Sequence, residues 1–318
     1  MQSSFIIYHS NLFTTAVSVT CCTYYTQIYK QCLQKISIID DTLEGLHIPK
    51  EYNNFSKKVT RNVIIWILIS IAINLSQIPW YLEKATGINI CLAPFLINYT
   101  LHVNSLMETL YATLIWYVAS IFQRINKYIL HLSANDNCGI KMMWKKVPSR
   151  SFHRRSLIDT SQHKYSLLTV ITCHTLHRVF QIQLTTTMAN HFILIVLFTY
   201  FQYTYFLNEP NIRIQYMLNY IGLAMMLLFF VAKVVFLNNN IEKCCKKAYH
   251  TVYVLYTLRD FTHNPERQEE ISQFILQIVQ KRLRLSAMGS VYFGHRFLCT
   301  FFIIIINYVI IIIQFNTT

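Results

Sequence analysis

The sequence predicts an all-α, polytopic membrane protein with six helical spans and further helical segments outside the membrane. One reason is composition: 53% of the 318 residues are hydrophobic, 14% are aromatic and only six are glycine. The second reason is that apolar stretches as long as a bilayer crossing recur along the chain. The third is that the basic residues lie in the segments between those stretches, so the net charge of +14 indicates membrane topology rather than nucleic-acid binding.

Each predicted span is an apolar stretch of roughly 20 residues or more. The six spans cover residues 5–29, 62–82, 90–122, 179–207, 215–237 and 291–315. The first is the least apolar, because His9, Ser10 and Asn11 interrupt it. The second ends in aromatic residues that suit the headgroup boundary, and the third is predicted as one continuous helix. The last span carries basic residues only near its start, at His295 and Arg296.

The segments between spans fix the predicted orientation. All Lys and Arg residues except Lys84 and Arg213 fall in or beside three blocks, at residues 30–61, 123–178 and 238–290. The positive-inside rule makes these blocks cytosolic and places both ends of this chain outside the cell. Lys233, close to the third block, is expected to extend its ammonium to the headgroups.

Apolar spacing predicts helices in two of the cytosolic blocks. The first has helical spacing at Leu33, Ile36, Ile39, Leu43 and Leu46. The second begins at Pro265 and buries a stripe formed by Ile271, Phe274, Ile275, Ile278 and Val279. Gly289 is expected to separate that helix from the last span. Residues 135–164 are polar and basic and contain Pro148, so they are predicted to form a loop.

Polar residues recur at a spacing of seven in the last span. Thr300, Asn307 and Gln314 therefore lie on one stripe of a helix whose other faces are mostly isoleucine. Polar groups in hydrocarbon need water or a partner. The stripe either lines a wet path or forms hydrogen bonds with neighbouring helices.

Glu108 is the one acidic residue within a predicted span. Such a carboxylate needs a partner, water or a proton, which makes it a candidate functional group. One hypothesis is that Glu108 lines a ligand-binding polar cavity, open to the outer half of the membrane, with His102, Asn104 and Tyr111. The alternative is a protonated Glu108 that is bonded to a neighbouring span.

Signals for other chemistry are few. Cys173-His174 and His177 have ligand types at helical spacing but lack a fourth partner, so we predict no metal and no cofactor. Neither a Gly-rich phosphate loop nor a Gly-x-Ser-x-Gly turn is present, and we predict no enzymatic activity. Cys244-Cys245 could carry palmitate, and Asn98 in Asn-Tyr-Thr is expected to lie inside its span, out of reach of glycosylation.

Three segments carry a family resemblance. Residues 307–315, Asn-Tyr, five apolar residues and Gln-Phe, resemble the closing signature of insect gustatory receptors, with Asn307 where the family usually has Thr. Residues 274–277, Phe-Ile-Leu-Gln, and 286–289, Ser-Ala-Met-Gly, resemble the segment before that family's last span. Residues 39–46 resemble its Ile-Asp-x-x-Leu loop. Together they make the whole chain similar to these seven-transmembrane chemoreceptors, which are related to insect odorant receptors.

The resemblance implies a receptor for a small-molecule tastant that is itself a ligand-gated, non-selective cation channel. Subunits would form a homo- or hetero-tetramer with other gustatory receptors in the lipid of the plasma membrane, in the dendrites of gustatory neurons. Thr300, Asn307 and Gln314 would then line the central pore, with Gln314 and Phe315 near its outer gate. The family-motif residues expected to contribute packing are Tyr308, Phe274, Gln277 and Gly289.

Family members have seven spans, so the six predicted here imply that the first span is missing, through a truncated gene model or an unusual short form. A non-functional truncated receptor is therefore one alternative. A G-protein-coupled chemoreceptor is another, although Asp-Arg-Tyr and Asn-Pro-x-x-Tyr elements are lacking. A transporter would be expected to have more helices broken by Gly or Pro.

Overall fold

The computed structural model describes the backbone of residues 2–45, 48–50, 52–82, 89–142, 150–208, 214–261, 265–287 and 291–317. Eight helices and one short hairpin account for nearly all of these residues. They are α1 (Gln2–Gly45), α2 (Tyr52–Leu82), α3 (Asn89–Ile97), α4 (Tyr99–Met142), α5 (Arg150–Asn208), α6 (Ile214–Phe261), α7 (Pro265–Gln280), β1 (Ser286–Ala287), β2 (Val291–Tyr292) and α8 (His295–Thr317). The predicted helical architecture is confirmed.

Five helical stretches in the described part of the chain are long and apolar enough to cross a membrane. They are Asn53–Pro79, Tyr99–Leu130, Leu167–Leu207, Met217–Asp260 and His295–Phe315, and they overlap the last five predicted spans. The first predicted span, residues 5–29, forms part of α1 but is not among these five. Its interruption by polar residues lowers its hydropathy, and Asn11, Thr14 and Ser18 are buried against the rest of the protein.

Helix α4 occupies the centre of the bundle and packs against α1, α2, α3, α5 and α6. In its most apolar stretch 72% of the residues are buried, against 11% in α2 and 17% in α8. The two peripheral helices expose mainly aliphatic side chains, as expected of surfaces that face lipid. Helix α8 packs against α5 and α6 along one side only.

Helices α5 and α6 continue far beyond one bilayer thickness. They contain 59 and 48 residues, while about 20 residues suffice for a crossing. The end of α4, which is helical up to Met142, and the start of α5, which is helical from Arg150, replace part of the basic loop predicted at residues 135–164. Pro148 lies outside the described residues. Local helix propensity thus outweighs the polar composition in these segments.

The third predicted span is two helices, and the prediction of one helix from residue 90 was wrong. The helix is interrupted at Asn98, which lies in a turn between α3 and α4. Its buried side chain donates hydrogen bonds to Asn74 Oδ1 at 2.9 Å and Gln77 Oε1 at 2.8 Å. These bonds favour the side chain's inward orientation and leave the amide unavailable for glycosylation.

The last span begins later than predicted. Val291 and Tyr292 form strand β2, which pairs with β1, and α8 starts at His295. Gly294 joins the strand to the helix at a φ of 137°, a conformation that favours glycine, and a Cβ there would clash with Glu242 Oε2. The hairpin and this turn therefore take the place of the helical start expected from hydropathy.

The predicted apolar stripes of α1 and α7 are largely buried. In α1, Ile36, Ile39 and Leu43 are buried but Leu33 is 38% exposed; Leu46 lies outside the described residues. In α7, four members of the stripe are buried and Val279 is 47% exposed. The predicted stripes were each one residue too wide, because the helix buries a narrower face than apolar composition indicates.

Candidate functional site

Glu108 lies at the meeting point of three helices. Its Oε1 is 3.1 Å from His191 Nε2 on α5 and its Oε2 is 3.0 Å from Lys233 Nζ on α6. The first of these distances is short enough for an ion pair, but Glu108 Oε1 and His191 Nε2 are not aligned for a hydrogen bond. Only 5% of the Glu108 side chain is exposed, and rings of Phe230 and Phe229 flank His191 and Lys233. The three residues form a buried charged cluster, which we call the Glu108 cluster.

The contacts of Glu108 agree with one part of the alternative hypothesis, and the ligand-binding hypothesis stays a prediction. Glu108 is bonded to neighbouring helices, as in the alternative hypothesis, but a lysine ammonium faces it, so the pairing does not require a protonated carboxyl. The prediction that Lys233 reaches the headgroups was wrong. The ammonium of Lys233 pairs with the buried carboxylate of Glu108 instead of extending to the hydrated headgroups. The pairing is favoured because an unpaired charge is unstable in the protein interior.

A second set of buried polar groups connects α1, α4 and α5. Ser18 Oγ donates to Asn104 Oδ1 at 3.3 Å, and Asn104 Nδ2 donates to the Asn11 carbonyl at 3.4 Å. Asn190 Nδ2 donates to Asn11 Oδ1 at 2.8 Å. All four side chains are buried, so α1 is held in place by hydrogen bonds in addition to apolar packing.

Three atoms beside this set lack a hydrogen-bond partner among the described residues: Thr187 Oγ1, Asn190 Oδ1 and His191 Nδ1. They lie on one stretch of α5, within about one helical turn of each other. Buried polar atoms in proteins nearly always have a partner, which can be ordered water or a ligand. This stretch of α5 therefore has unused hydrogen-bonding capacity next to Asn104 and Glu108.

The other two predicted site residues face elsewhere. His102 Nε2 lies 3.2 Å from Asn74 Oδ1 on α2. The Tyr111 hydroxyl lies 2.8 Å from His177 Nδ1, and His177 Nε2 lies 2.9 Å from the Ser286 carbonyl. A carbonyl only accepts, so Nε2 carries the proton and Nδ1 accepts from the tyrosine. The four predicted residues thus contact three or more neighbouring helices and do not converge on one point.

Sequence reasoning missed most partners in these contacts. Asn11 was treated only as an interruption of an apolar stretch and His177 only as a weak metal signal, and no role was predicted for Asn190. His191 and Lys233 lie inside or at the end of predicted spans, so the need of Glu108 for a basic partner was the available clue. Within the described residues, no group of three or more His, Cys, Asp or Glu has the arrangement of a metal site.

The polar stripe of α8 is exposed along its full length. Thr300, Asn307 and Gln314 all lie on the outside of the subunit. The side that packs against the protein is apolar and consists of Phe301, Ile305 and Val309. Rotation of 100° per residue places this buried side opposite the polar stripe. The helix therefore presents its polar groups away from its own subunit.

The remaining residues of the closing signature differ in their surroundings. Tyr308 is 51% exposed and its ring meets Phe192 of α5 edge-on, with ring centroids 5.5 Å apart. Phe315, near the C-terminal end of α8, is 80% exposed. Of the residues in the preceding segment, Phe274 is buried and Gln277 is exposed, while Gly289 lies outside the described residues.

The segment at residues 39–46 contributes a second buried ion pair. Asp40, which is 1% exposed, accepts hydrogen bonds from Arg124 and from the Tyr117 hydroxyl of α4. The next acidic residues point outward, and Lys50 Nζ lies 2.7 Å from both Asp41 and Glu44. These hydrogen bonds, to Asp41 first, raise the pKa of Lys50 above its ordinary value. The segment thus joins α1 to α4 through charge.

The free thiols have different accessibilities. Cys244 is fully buried and Cys245 is half-buried, which leaves the former out of reach of an acyl-transferring enzyme. Cys299 at the start of α8 is exposed. The palmitoylation hypothesis is therefore restricted to Cys245.

A family model described as 7tm chemosensory receptor matches residues 2–318, which is almost the whole chain. No curated protein matches the sequence at a significant level.

Proposed function

Because the chain belongs to the 7tm chemosensory receptor family and is a polytopic membrane receptor, we propose that it is a gustatory receptor that detects a small-molecule tastant. We further propose that it acts as a subunit of a ligand-gated, non-selective cation channel. The observation that carries this proposal is the outward-facing polar stripe of α8, on the side opposite its apolar contact with α5.

The chemistry of the stripe suits a cation path. Thr, Asn and Gln offer neutral oxygen atoms that can replace part of an ion's hydration shell, and they carry no fixed charge that would hold a cation tightly. One copy of α8 cannot enclose a pore, so several subunits must place their stripes around a common axis. Four subunits are proposed from the family resemblance.

Ligand binding is proposed at the polar region between α1, α4 and α5. Asn104 and Glu108 belong to it, and the unpartnered atoms of Thr187, Asn190 and His191 supply hydrogen-bonding capacity for a polar tastant. His102 and Tyr111 are assigned positioning roles, because each is engaged with a neighbouring helix. Binding opens the channel only if the ligand has higher affinity for the open state.

Whole-cell current from cells that express this chain tests the proposal. A panel of sugars, bitter compounds and carbon dioxide is applied with G-protein signalling blocked, and an evoked cation current is expected. In Gln314→Glu, the added charge in the path should change conductance or cation selectivity, while Gln277→Glu, an exposed glutamine outside α8, should leave both unchanged. An evoked current that requires G proteins, or one indifferent to Gln314→Glu, would count against the channel.

A further inference from the structure

Basic side chains from two helices gather at one end of the apolar part of α2. Lys57, Lys58 and Arg61 belong to α2, and Lys243 and Lys247 belong to α6, which packs against it. Arg61, Lys243 and Lys247 are close enough to Lys58 to repel its charge. We call these five residues the basic cluster. Its mutual repulsion is a cost that a bound anion would remove.

The chain itself supplies little counter-charge. Among the described residues, no carboxylate forms an ion pair with Lys57, Lys58, Arg61 or Lys243. Glu242, next to the cluster in sequence, pairs instead with Lys246 at 3.2 Å.

Neutral groups hold two of the lysines in place. Lys247 Nζ donates to Gln123 Oε1 at 2.7 Å, and Lys58 Nζ lies 3.5 Å from the centre of the Trp116 ring. These contacts involve uncharged groups and orient the two ammonium groups.

A surface groove of about 340 Å³ runs along α2 beside the cluster. Its lining is polar and basic at one end and apolar at the other. Its lining residues lie one helical turn apart in pairs: Ser56 and Lys57, Thr60 and Arg61, Ile64 and Ile65. The first two pairs offer hydroxyl and cationic donors. The third pair is apolar, and Ile64 and Ile65 are 51% and 46% exposed. Within two turns the groove passes from a surface suited to phosphate to one suited to hydrocarbon.

From this arrangement we propose that the basic cluster binds the headgroup of a polyanionic phospholipid, a phosphoinositide, whose acyl chains lie along Ile64 and Ile65. Four or more Lys and Arg residues beside a membrane span favour such lipids over neutral ones. The phosphate groups bridge α2 and α6, remove the repulsion around Lys58 and fix both helices relative to Trp116 of α4. The side of the membrane rests on the proposed cytosolic placement of residues 30–61 and 238–290.

Binding to the purified full chain in lipid nanodiscs tests this site without any tastant or current, so its outcome is independent of the channel proposal. Fluorescent phosphatidylinositol bisphosphate is titrated into nanodiscs of phosphatidylcholine. Lys58→Gln/Lys243→Gln is expected to weaken binding roughly thirty-fold, since each lysine near a lipid charge contributes on the order of a tenfold change or somewhat less. Lys58→Arg/Lys243→Arg keeps both charges and should bind like the unmodified chain, which provides a correctly folded comparison.

Control variants distinguish a built site from general attraction. Lys30→Gln/Lys35→Gln removes two charges from α1 and should change the affinity less than twofold. Equal weakening by both Gln pairs, or equal binding of phosphatidylserine at matched total charge, would overturn the proposal. Full competition by soluble inositol trisphosphate at the same affinity would also overturn it, because the acyl contacts with Ile64 and Ile65 would then contribute nothing.

Discussion

Helices α4 and α8 both have polar side chains within an apolar stretch, but these side chains are buried on α4 and exposed on α8. On α4, Asn104 and Glu108 are buried and meet partners from α1, α5 and α6. On α8, Thr300 and Asn307 face outward, and no side-chain hydrogen bond to either occurs within the part of the chain that the structure describes. Polar groups on α4 therefore hold one subunit together, whereas Thr300 and Asn307 on α8 are directed to the outside of the subunit.

A polar residue in an apolar helix can therefore either stabilise its own subunit or face the outside of it. On α4, hydrogen bonds and ion pairs within the subunit offset the free-energy cost of placing polar groups in an apolar environment. On α8, contact with water or with a second subunit would have to offset that cost. Changes on α4 should therefore act on stability, and changes on α8 should act on ion flow.

Removing the ammonium from the Glu108 cluster should have the largest effect. Lys233→Met leaves the Glu108 carboxylate buried without its cationic partner, which is expected to lower the free energy of unfolding by about 3–5 kcal/mol. Thermal unfolding of the purified chain in nanodiscs measures this. Lys246→Met, on the same helix but with a 65% exposed side chain, is the matched control, because water screens its ion pair with Glu242. Glu108→Gln/Lys233→Met should restore most of the loss, and a double variant as unstable as the single one would contradict the pairing.

Truncating the buried amide between α3 and α4 should cost less. Asn98→Ala removes the donor to Asn74 and Gln77, and the expected loss is about 1–3 kcal/mol, the cost of leaving buried acceptors unsatisfied. The same unfolding assay applies, with the exposed Asn54→Ala as its control. Equal stabilities of the two variants would show that the bonds at Asn98 do not hold α3 against α2.

Replacing a stripe residue of α8 should leave the stability of the subunit nearly unchanged. Asn307 is exposed and Asn307→Leu removes no side-chain hydrogen bond among the described residues, so a change within about 0.5 kcal/mol is expected. The evoked cation current should nevertheless fall, because an apolar residue would dewet the proposed path. Unitary conductance measured beside unfolding gives both values, and a large loss of stability with normal conductance would reverse the assignment of α8.

The exposed ion pairs of Lys50 should contribute least. Lys50→Gln removes contacts with Asp41 and Glu44 that water screens, so little change in unfolding temperature is expected near neutral pH. The pKa of Lys50 is raised in the folded state, so its contribution is fully present below the pKa of an unfolded lysine, about 10.4, and is lost only above that value. Unfolding curves from pH 6 to pH 9 should therefore run parallel for both chains, and a gap that widens with pH would contradict this.

The sequence predicts most of the fold because long apolar stretches and the clustering of basic residues are local signals. It predicts the boundaries less well: the start of α8 depends on a hairpin between residues 286–287 and 291–292, and the break at Asn98 depends on amides 21 and 24 residues away. The polar, basic composition of the segments into which α4 and α5 extend favoured a loop, although the residues in them form helix.

The candidate site was predictable only in part. Glu108 is identifiable because an acid within a span needs an explanation, and the stripe of α8 follows from its seven-residue spacing. Which helices supply His191, Lys233 and Asn11 depends on how α1, α5 and α6 pack around α4, and single-helix periodicity carries no information on that. The sequence also gives no indication that His102 contacts Asn74 of α2 and that Tyr111 contacts His177 of α5.

The reactivity of a cysteine placed on the α8 stripe tests most directly whether α8 lines an aqueous path. In a Cys299→Ser background, Asn307→Cys and Ile306→Cys are expressed in intact cells and treated with a charged, membrane-impermeant maleimide. Both native residues are exposed on the subunit, but Ile306 lies about 100° around the helix from the stripe. Thiols react as thiolates, which require water, so Asn307→Cys should label and Ile306→Cys should not. Labelling of Ile306→Cys with Asn307→Cys unreactive would show that the stripe packs against protein and that α8 lines no aqueous path.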